Sequence, residues 1–386
     1  MLPQHKRVLA AYKRIKDKVV TIQWESAWTE ESEVLDRLEA ERTKHPDDPI
    51  YDSLFQFRAQ VSGLSRLERL QLSAASCIGF FYLLTKYFVT RVEPGPRADV
   101  AYFYSVAIFP QIRQEEHVLA KVPLDAGKLR LEDVAFLLTT LVRLRLCFGV
   151  MSIAAHRVAQ ARFAIDRHNV TELWTTMEYS AACGITRAYC NRHEVHMANF
   201  MHGEKVLTLR DAFCSFDSYF VWSAHHREIV ETLGCRGEVF VENPWTSGLI
   251  KQTETQKACY FLKGTETSAE INNISMVLEE LRAAGYEVAF KAHPRRPIDV
   301  SPLAAFTAID TEVEVTSLLV DLQLVIAQYS TVLTEAWFMG KNVLLDDTSS
   351  PELARSLADR RYFLLQQTER VTKTSTLQNR SLDESA

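Results

Sequence analysis

Two short apolar runs, Val288-Ala289-Phe290 and Leu324-Val325-Ile326-Ala327, each stop abruptly at polar residues. The first passes through Lys291-Ala292 into His293-Pro294-Arg295-Arg296, the second into Gln328-Tyr329-Ser330-Thr331. Apolar runs this short, without alternation, suit strands buried on both faces of a parallel sheet. In an open α/β sheet, ligands bind just beyond the carboxyl ends of such strands. The stretch from Gly285 to Asp347 therefore predicts a unit whose strand tips carry anion-binding chemistry. One tip delivers His293 with Lys291, Arg295 and Arg296 nearby. The other delivers Ser330 and Thr331 at the start of a helix. Two such tips can clamp a phosphate.

The rest of the chain repeats this rhythm. With 386 residues it has room for two or three domains. Strands are expected at Val100–Phe109, Leu173–Met177, Val195–Phe200, Ser218–Trp222 and Glu238–Glu242. A helical run over Ser180–Cys190 and a helix over Ala224–Leu233 fall between them, the alternation of βαβ units. A linker over Thr246–Lys257 leads to a second set: strands Ala258–Leu262, Glu287–Lys291, Leu324–Ala327 and Asn342–Leu345, with helices Ser268–Ala284 and Val332–Met339. The spacing predicts one or two long helices over Leu131–Ala164, with Arg143, Arg145, Arg157 and Arg162 facing solvent. The most apolar stretch, Leu72–Val89, reads as a buried core helix, with membrane-surface contact as the alternative. It is too interrupted by Ser73, Ser76, Thr85 and Lys86 for a span of about 20 apolar residues.

Net charge is −5, which argues against a nucleic-acid binder. The seven cysteines include no CxxC pair, so neither a metal site nor a disulfide framework is expected. The opening Met1-Leu2-Pro3-Gln4-His5-Lys6-Arg7 lacks the apolar core of a secretory signal, and a cytoplasmic chain is expected.

The candidate site residues each carry two readings. Pro294 holds His293 in extended backbone, so the imidazole leaves the strand tip where it can meet a donor phosphate; otherwise it simply ends a strand. Ser330 and Thr331 cap a helix and can also hold an anion. Glu335 projects from the same helix face as Thr331 and can accept a sugar or ribose hydroxyl, or serve only the helix dipole. Lys263-Gly264-Thr265-Glu266-Thr267 joins a strand to a helix; it can offer backbone contacts to phosphate or form a plain turn, and it is no P-loop. In the amino-terminal half, Glu178 and His202 compete as the general base, with a helix-start carboxylate and a turn histidine as the bland alternatives.

Lys291-Ala292-His293-Pro294 and Tyr329-Ser330-Thr331 resemble the HP and Ser-Ser/Thr motifs of bacterial sialyltransferases and polysialyltransferases. That resemblance implies a GT-B fold, a CMP-activated sugar donor without a metal, and contacts from His293, Ser330 and Thr331 to the CMP phosphate. Glu178 lies where those enzymes carry an acidic base, but Tyr179 and Ser180 break their motif. His202-Gly203 with the later HP is similar to CDP-glycerol teichoic-acid polymerases. A weaker similarity is to sugar-nucleotide 2-epimerases, whose Ser-Gly-Gly element is absent.

Taken together, the expected fold is α/β GT-B: two Rossmann-like domains facing a cleft, with extra N-terminal helices. Residues 1–245 form the acceptor-side domain, 246–365 the nucleotide-sugar domain and 366–386 a polar tail. The expected activity is inverting transfer of a sialic acid or related keto sugar from a CMP donor to a glycan acceptor, in capsule or lipopolysaccharide synthesis. Glu178, His202 and His293 are the catalytic candidates; Lys291, Pro294, Arg295, Gly264, Thr265, Ser330, Thr331 and Glu335 hold the donor. No cofactor or metal is expected. A CDP-polyol or UDP-sugar transferase and an inactive glycan-binding module are the alternatives. Peripheral contact with the inner membrane and a homodimer complete the expectations.

Overall fold

The computed structural model describes residues 27–104, 109–245, 255–294 and 296–377. Arg295 and most of the expected linker lie outside the described residues. The chain forms two compact units. The first runs to His202 and resumes over Leu207–Pro244; the second takes Gly203–Val206 and the chain from Trp245 onward. Both are Rossmann-like α/β units.

The first unit opens with helices α1 (Trp28–Arg42), α2 (Pro49–Gln60) and α3 (Arg66–Phe88). Ser65 and Glu68 form a reciprocal capping box that starts α3. Among the described residues six strands follow: β1 (Val100–Tyr102), β2 (Leu119–Lys121), β3 (Glu172–Thr175), β4 (His196–Phe200), β5 (Ser215–Val221) and β6 (Arg236–Val241). Helices α4 (Gln111–Glu116), α5 (Leu131–Arg143), α6 (Phe148–His168), α7 (Cys183–Asn191) and α8 (Ala224–Thr232) connect them. All strands run parallel in the order β2-β1-β3-β4-β5-β6. Chain direction across the sheet reverses between β1 and β3, so this is the topological switch point. Phe109, Trp174, Phe200 and Phe220 pack on one side of the sheet. The extra N-terminal helices belong to this unit: Leu35 and Leu38 of α1 and Phe55 of α2 share a core with Phe213, Ile229 and Leu233.

Two expectations change here. Arg162 does not face solvent: it is buried and pairs with Asp133 and Glu132, at 2.8 and 2.6 Å. The α5 carboxylate of Asp133 is itself buried and accepts from Tyr189, so only an opposite charge makes its burial tolerable. Helix α3 is a core helix on one face only. Leu72, Ser76, Phe80, Leu84 and Tyr87 are buried, while Ile78, Phe81, Tyr82 and Phe88 on the opposite side are exposed.

The second unit contains β7 (Lys257–Phe261), α9 (Ser268–Ala283), β8 (Glu287–Lys291), β9 (Thr307–Ile309), α10 (Val315–Asp321), β10 (Leu324–Ala327), α11 (Thr331–Phe338), β11 (Asn342–Leu345), α12 (Pro351–Asp359) and β12 (Val371–Lys373). Its parallel sheet has the order β12-β11-β10-β7-β8-β9, the dinucleotide-fold arrangement, with the switch point between β7 and β10. Tyr260, Phe290, Ile326 and Leu344 meet Ile271, Ile274 and Leu278 of α9 in the core. The expected polar tail from residue 366 gives way at its start. Val371–Lys373 pairs with β11 and completes the sheet, a three-residue edge strand too short and polar to leave a periodic signal.

Candidate functional site

In the first unit, Glu178 and His202 are partners. His202 Nδ1 lies 2.9 Å from Glu178 Oε1. The carboxylate is fully buried and the imidazole half-buried. Asn199 of β4 sets this up. Its Oδ1 accepts from Met177 N–H at 2.7 Å and from Thr175 Oγ1 at 3.0 Å, which fixes the turn leaving β3. Its Nδ2 donates to Glu178 Oε2 at 3.3 Å. Gln56 of α2 donates to the Glu178 carbonyl at 2.7 Å.

An ionised carboxylate only accepts, so the proton between the pair sits on His202 Nδ1. The ring then presents its Nε2 lone pair outward, and the carboxylate behind it fixes the orientation of the imidazole. The same relay orients histidine in hydrolytic triads. Around the pair lie groups the sequence did not single out. The Tyr179 ring is 5.4 Å from that of His202. Burial, with Tyr104 and Glu178 beside it, pushes the Tyr179 phenol up to about 12, so it stays a hydrogen-bond donor at neutral pH. Tyr104 follows β1 at the switch point with φ 71°, a left-handed conformation unusual for a bulky residue. Its hydroxyl accepts from Arg157 Nη2 at 2.9 Å, so Arg157 too is engaged and not merely solvated. The available signal was position alone: Tyr104 and Tyr179 both follow strands that flank the switch point.

In the second unit, the tips of β10, β7 and β8 stand side by side. Ser330 follows β10 and His293 follows β8, with the β7 loop between them. Two inter-strand steps separate the outer tips by about 10 Å. Gly264 in the β7 loop has φ 74°, and a Cβ there would lie 2.5 Å from Arg296 Cβ and 2.9 Å from His293 Cβ. Only glycine lets this loop seat against the His293 turn. Lys263 Nζ bridges the switch point to Gln328 Oε1 at 2.5 Å and also reaches Glu270 Oε1 at 3.0 Å.

The backbone N–H groups expected to hold phosphate already have an acceptor. The Glu266 carboxylate takes those of Lys263, Gly264 and Thr265, at 2.6, 2.9 and 3.0 Å. Three successive amides converging on one anion form a nest, and here the anion is the chain's own. The Thr265 side chain and Pro294 are exposed. Lys291 is buried and donates to the Asp310 carbonyl at 2.5 Å, tying β8 to the end of β9.

Ser330 caps α11, its Oγ accepting from Val332 N–H at 3.2 Å. Thr331 Oγ1 accepts from Glu204 N–H at 3.3 Å, and Thr334 donates to the Glu204 carboxylate at 2.6 Å. Glu204 therefore braces the first turn of α11. On that helix burial pushes the Glu335 carboxyl up to about 7. Glu335 is half-buried, and its carboxyl makes no hydrogen bond among the described residues. It is a carboxyl poised to change state near neutrality.

Comparison with solved structures finds similarity at low identity. The wall teichoic acid polymerase TagF is 12% identical, with 75% of this chain and 78% of that one covered and a TM-score of 0.39. UDP-GlcNAc 2-epimerase from Neisseria meningitidis, bound to UDP-GlcNAc, is 11% identical over 66% of this chain and 84% of its own, with a TM-score of 0.40. CalG4, the calicheamicin glycosyltransferase, is 10% identical over 72% and 86%, with a TM-score of 0.42. No protein-family model matches the chain, and no curated protein does.

Among the described residues no three His, Cys, Asp or Glu side chains converge as a metal site. Chemically, the first unit offers a base with an orienting carboxylate. The second offers hydroxyls and an imidazole at neighbouring strand tips, with a carboxyl of raised pKa one turn into α11.

Proposed function

We propose that the chain is an inverting glycosyltransferase that moves a sugar from a nucleotide-activated donor to a hydroxyl of a glycan acceptor. The observation that carries this reading is the Glu178–His202 pair, placed after β3 and β4 beside the switch point. In the proposed step, His202 Nε2 takes the acceptor's hydroxyl proton while that oxygen forms its bond to the anomeric carbon. The bond from that carbon to the donor phosphate oxygen breaks, and its electron pair leaves with the nucleotide. His293 and the hydroxyls of Ser330 and Thr331 serve the charge that develops on the phosphate. Stabilising developing charge is usually the largest catalytic contribution. Glu178 acts through His202, holding its tautomer and the imidazolium that forms. The step needs no metal.

The donor is assigned as a CMP-linked sialic acid or related keto sugar, because His293-Pro294 and Ser330-Thr331 resemble the sialyltransferase motifs. A CDP-polyol donor is the second reading. It is supported by His202-Gly203, which resembles the His-Gly of teichoic-acid polymerases near the acceptor site, and by His202 being the more exposed member of the pair. Thermal shift with CMP, CDP, UDP and GDP separates these, since a ligand of the folded state raises Tm by mass action. CMP stabilising most supports the first assignment. CDP stabilising while CMP does not moves the donor to the second. Stabilisation by UDP alone overturns both donor assignments, and no shift with any of the four overturns the nucleotide-sugar reading.

A further inference from the structure

Helix α3 has a second face that the fold leaves uncovered. Leu70, Ile78, Phe81, Tyr82, Phe88 and Val89 are between 48% and 71% exposed. At about 100° per residue all six fall within an arc of roughly 120°, opposite the buried row that ends at Tyr87. The helix has 23 residues and is about 34 Å long. A second apolar row starts beside its end. Leu129 N–H donates to the Tyr87 carbonyl at 3.0 Å, which anchors the start of α5, and α5 exposes Leu131, Leu138 and Val142. Six exposed apolar side chains gathered on one helix face mark an interaction site.

Charge chooses the partner. Arg66 and Lys86 stand on α3 about 40° to either side of this row, and Arg91 just beyond the helix, all exposed. The one acidic residue of α3, Glu68, is held by Ser65 in the capping box. An apolar row rimmed by cations is the signature of an interfacial helix that lies in the plane of an anionic bilayer. Among the described residues no helix is long and apolar enough to cross a membrane, so contact at the surface is the available mode. The row is an outward helix face flanked by cations, which suits a lipid surface.

We propose that this face of α3, with the exposed row of α5, docks the protein onto an anionic lipid surface. The wild-type chain should sediment with phosphatidylcholine vesicles containing a third phosphatidylglycerol, at least about tenfold more than with pure phosphatidylcholine, and raised salt should release it. Ile78→Glu with Tyr82→Glu should lower binding at least about tenfold, since each side chain withdrawn from the interface is worth about that factor. Both positions are exposed, so circular dichroism and Tm should stay as in the wild type. Replacing Arg66 and Arg91 by Ser should weaken the preference for anionic vesicles several-fold and leave the fold intact. No vesicle binding by the wild type would overturn the proposal, as would equal binding by the double variant. A wild-type dimer that ignores vesicles, and that the double variant makes monomeric, would instead assign this face to a second copy of the chain.

Discussion

Glu178 and His202 hold one hydrogen bond, 2.9 Å long, between a fully buried carboxylate and a half-exposed imidazole. They work as a unit. His202→Asn should lower transfer by about 10²–10⁴-fold, the usual loss of a general base. Glu178→Gln should cost a comparable factor, because its amide can donate to Nδ1 and thereby move the ring proton to Nε2. The double variant should be little worse than either single one. Steady-state transfer rates with folding checked by circular dichroism test this. Multiplying losses would mean that the two residues act separately.

Gly264→Ala places a methyl 2.5 Å from Arg296 Cβ at a residue with φ 74°. Strain and clash together should cost about 1–3 kcal/mol of stability. The loop should also part from the His293 turn, so any nucleotide-induced rise in Tm should shrink. Denaturant unfolding and thermal shift read the two effects. A variant with wild-type stability would mean that the β7 loop does not hold this conformation in solution.

Glu266→Ala leaves three backbone N–H groups without an acceptor. Each buried unsatisfied group costs about 1–3 kcal/mol, so a loss of several kcal/mol is the upper bound and a partial loss the expectation. Inorganic phosphate should restore part of the Tm by entering the vacated nest, and should do little for the wild type. Equal phosphate responses in both proteins would show that the nest accepts no external anion.

Glu335 supplies a pH dependence with a definite sign. Its folded-state pKa is raised to about 7, above its ordinary carboxylate value. The folded state therefore holds a proton that the unfolded chain releases earlier. Stability from this group is greatest at low pH and is lost as pH rises through about 7. Glu335→Gln should thus gain Tm relative to the wild type on going from pH 5 to pH 8. A pH-independent difference would leave Glu335 solvated and without a role in this window.

Most strands were legible because burial on both faces leaves uninterrupted apolar runs. The limits of β8, β10 and β11 match the expected Glu287–Lys291, Leu324–Ala327 and Asn342–Leu345. The three-residue strands Leu119–Lys121, Thr307–Ile309 and Val371–Lys373 escaped. They lie at sheet margins, where pairing on one side suffices and half the side chains stay in water. The expected strand Val100–Phe109 is formed only over Val100–Tyr102 among the described residues.

The site residues were legible as types and places, and their relations were not. Glu178 and His202 meet because Asn199 reaches across from β4 to the turn after β3. That contact depends on strand register, which no local pattern encodes. Arg162 looked like a surface cation because its partner, Asp133, sits one helix away. Glu266 looked like a loop residue, although its carboxylate organises that loop.

Among the described residues every strand pair in both sheets is parallel, and none is joined by a hairpin. Val100 must find Glu172, and Ala258 must find Leu324, across long stretches of intervening chain. Such pairings are entropically late, since a large loop closes before any ladder bond forms. During synthesis β1 waits for β3 and β7 waits for β10, each with an unpaired apolar edge open to other chains. Slow translation, low temperature and chaperone supply should therefore govern how much soluble protein a cell makes, more than any single contact in the finished sheets.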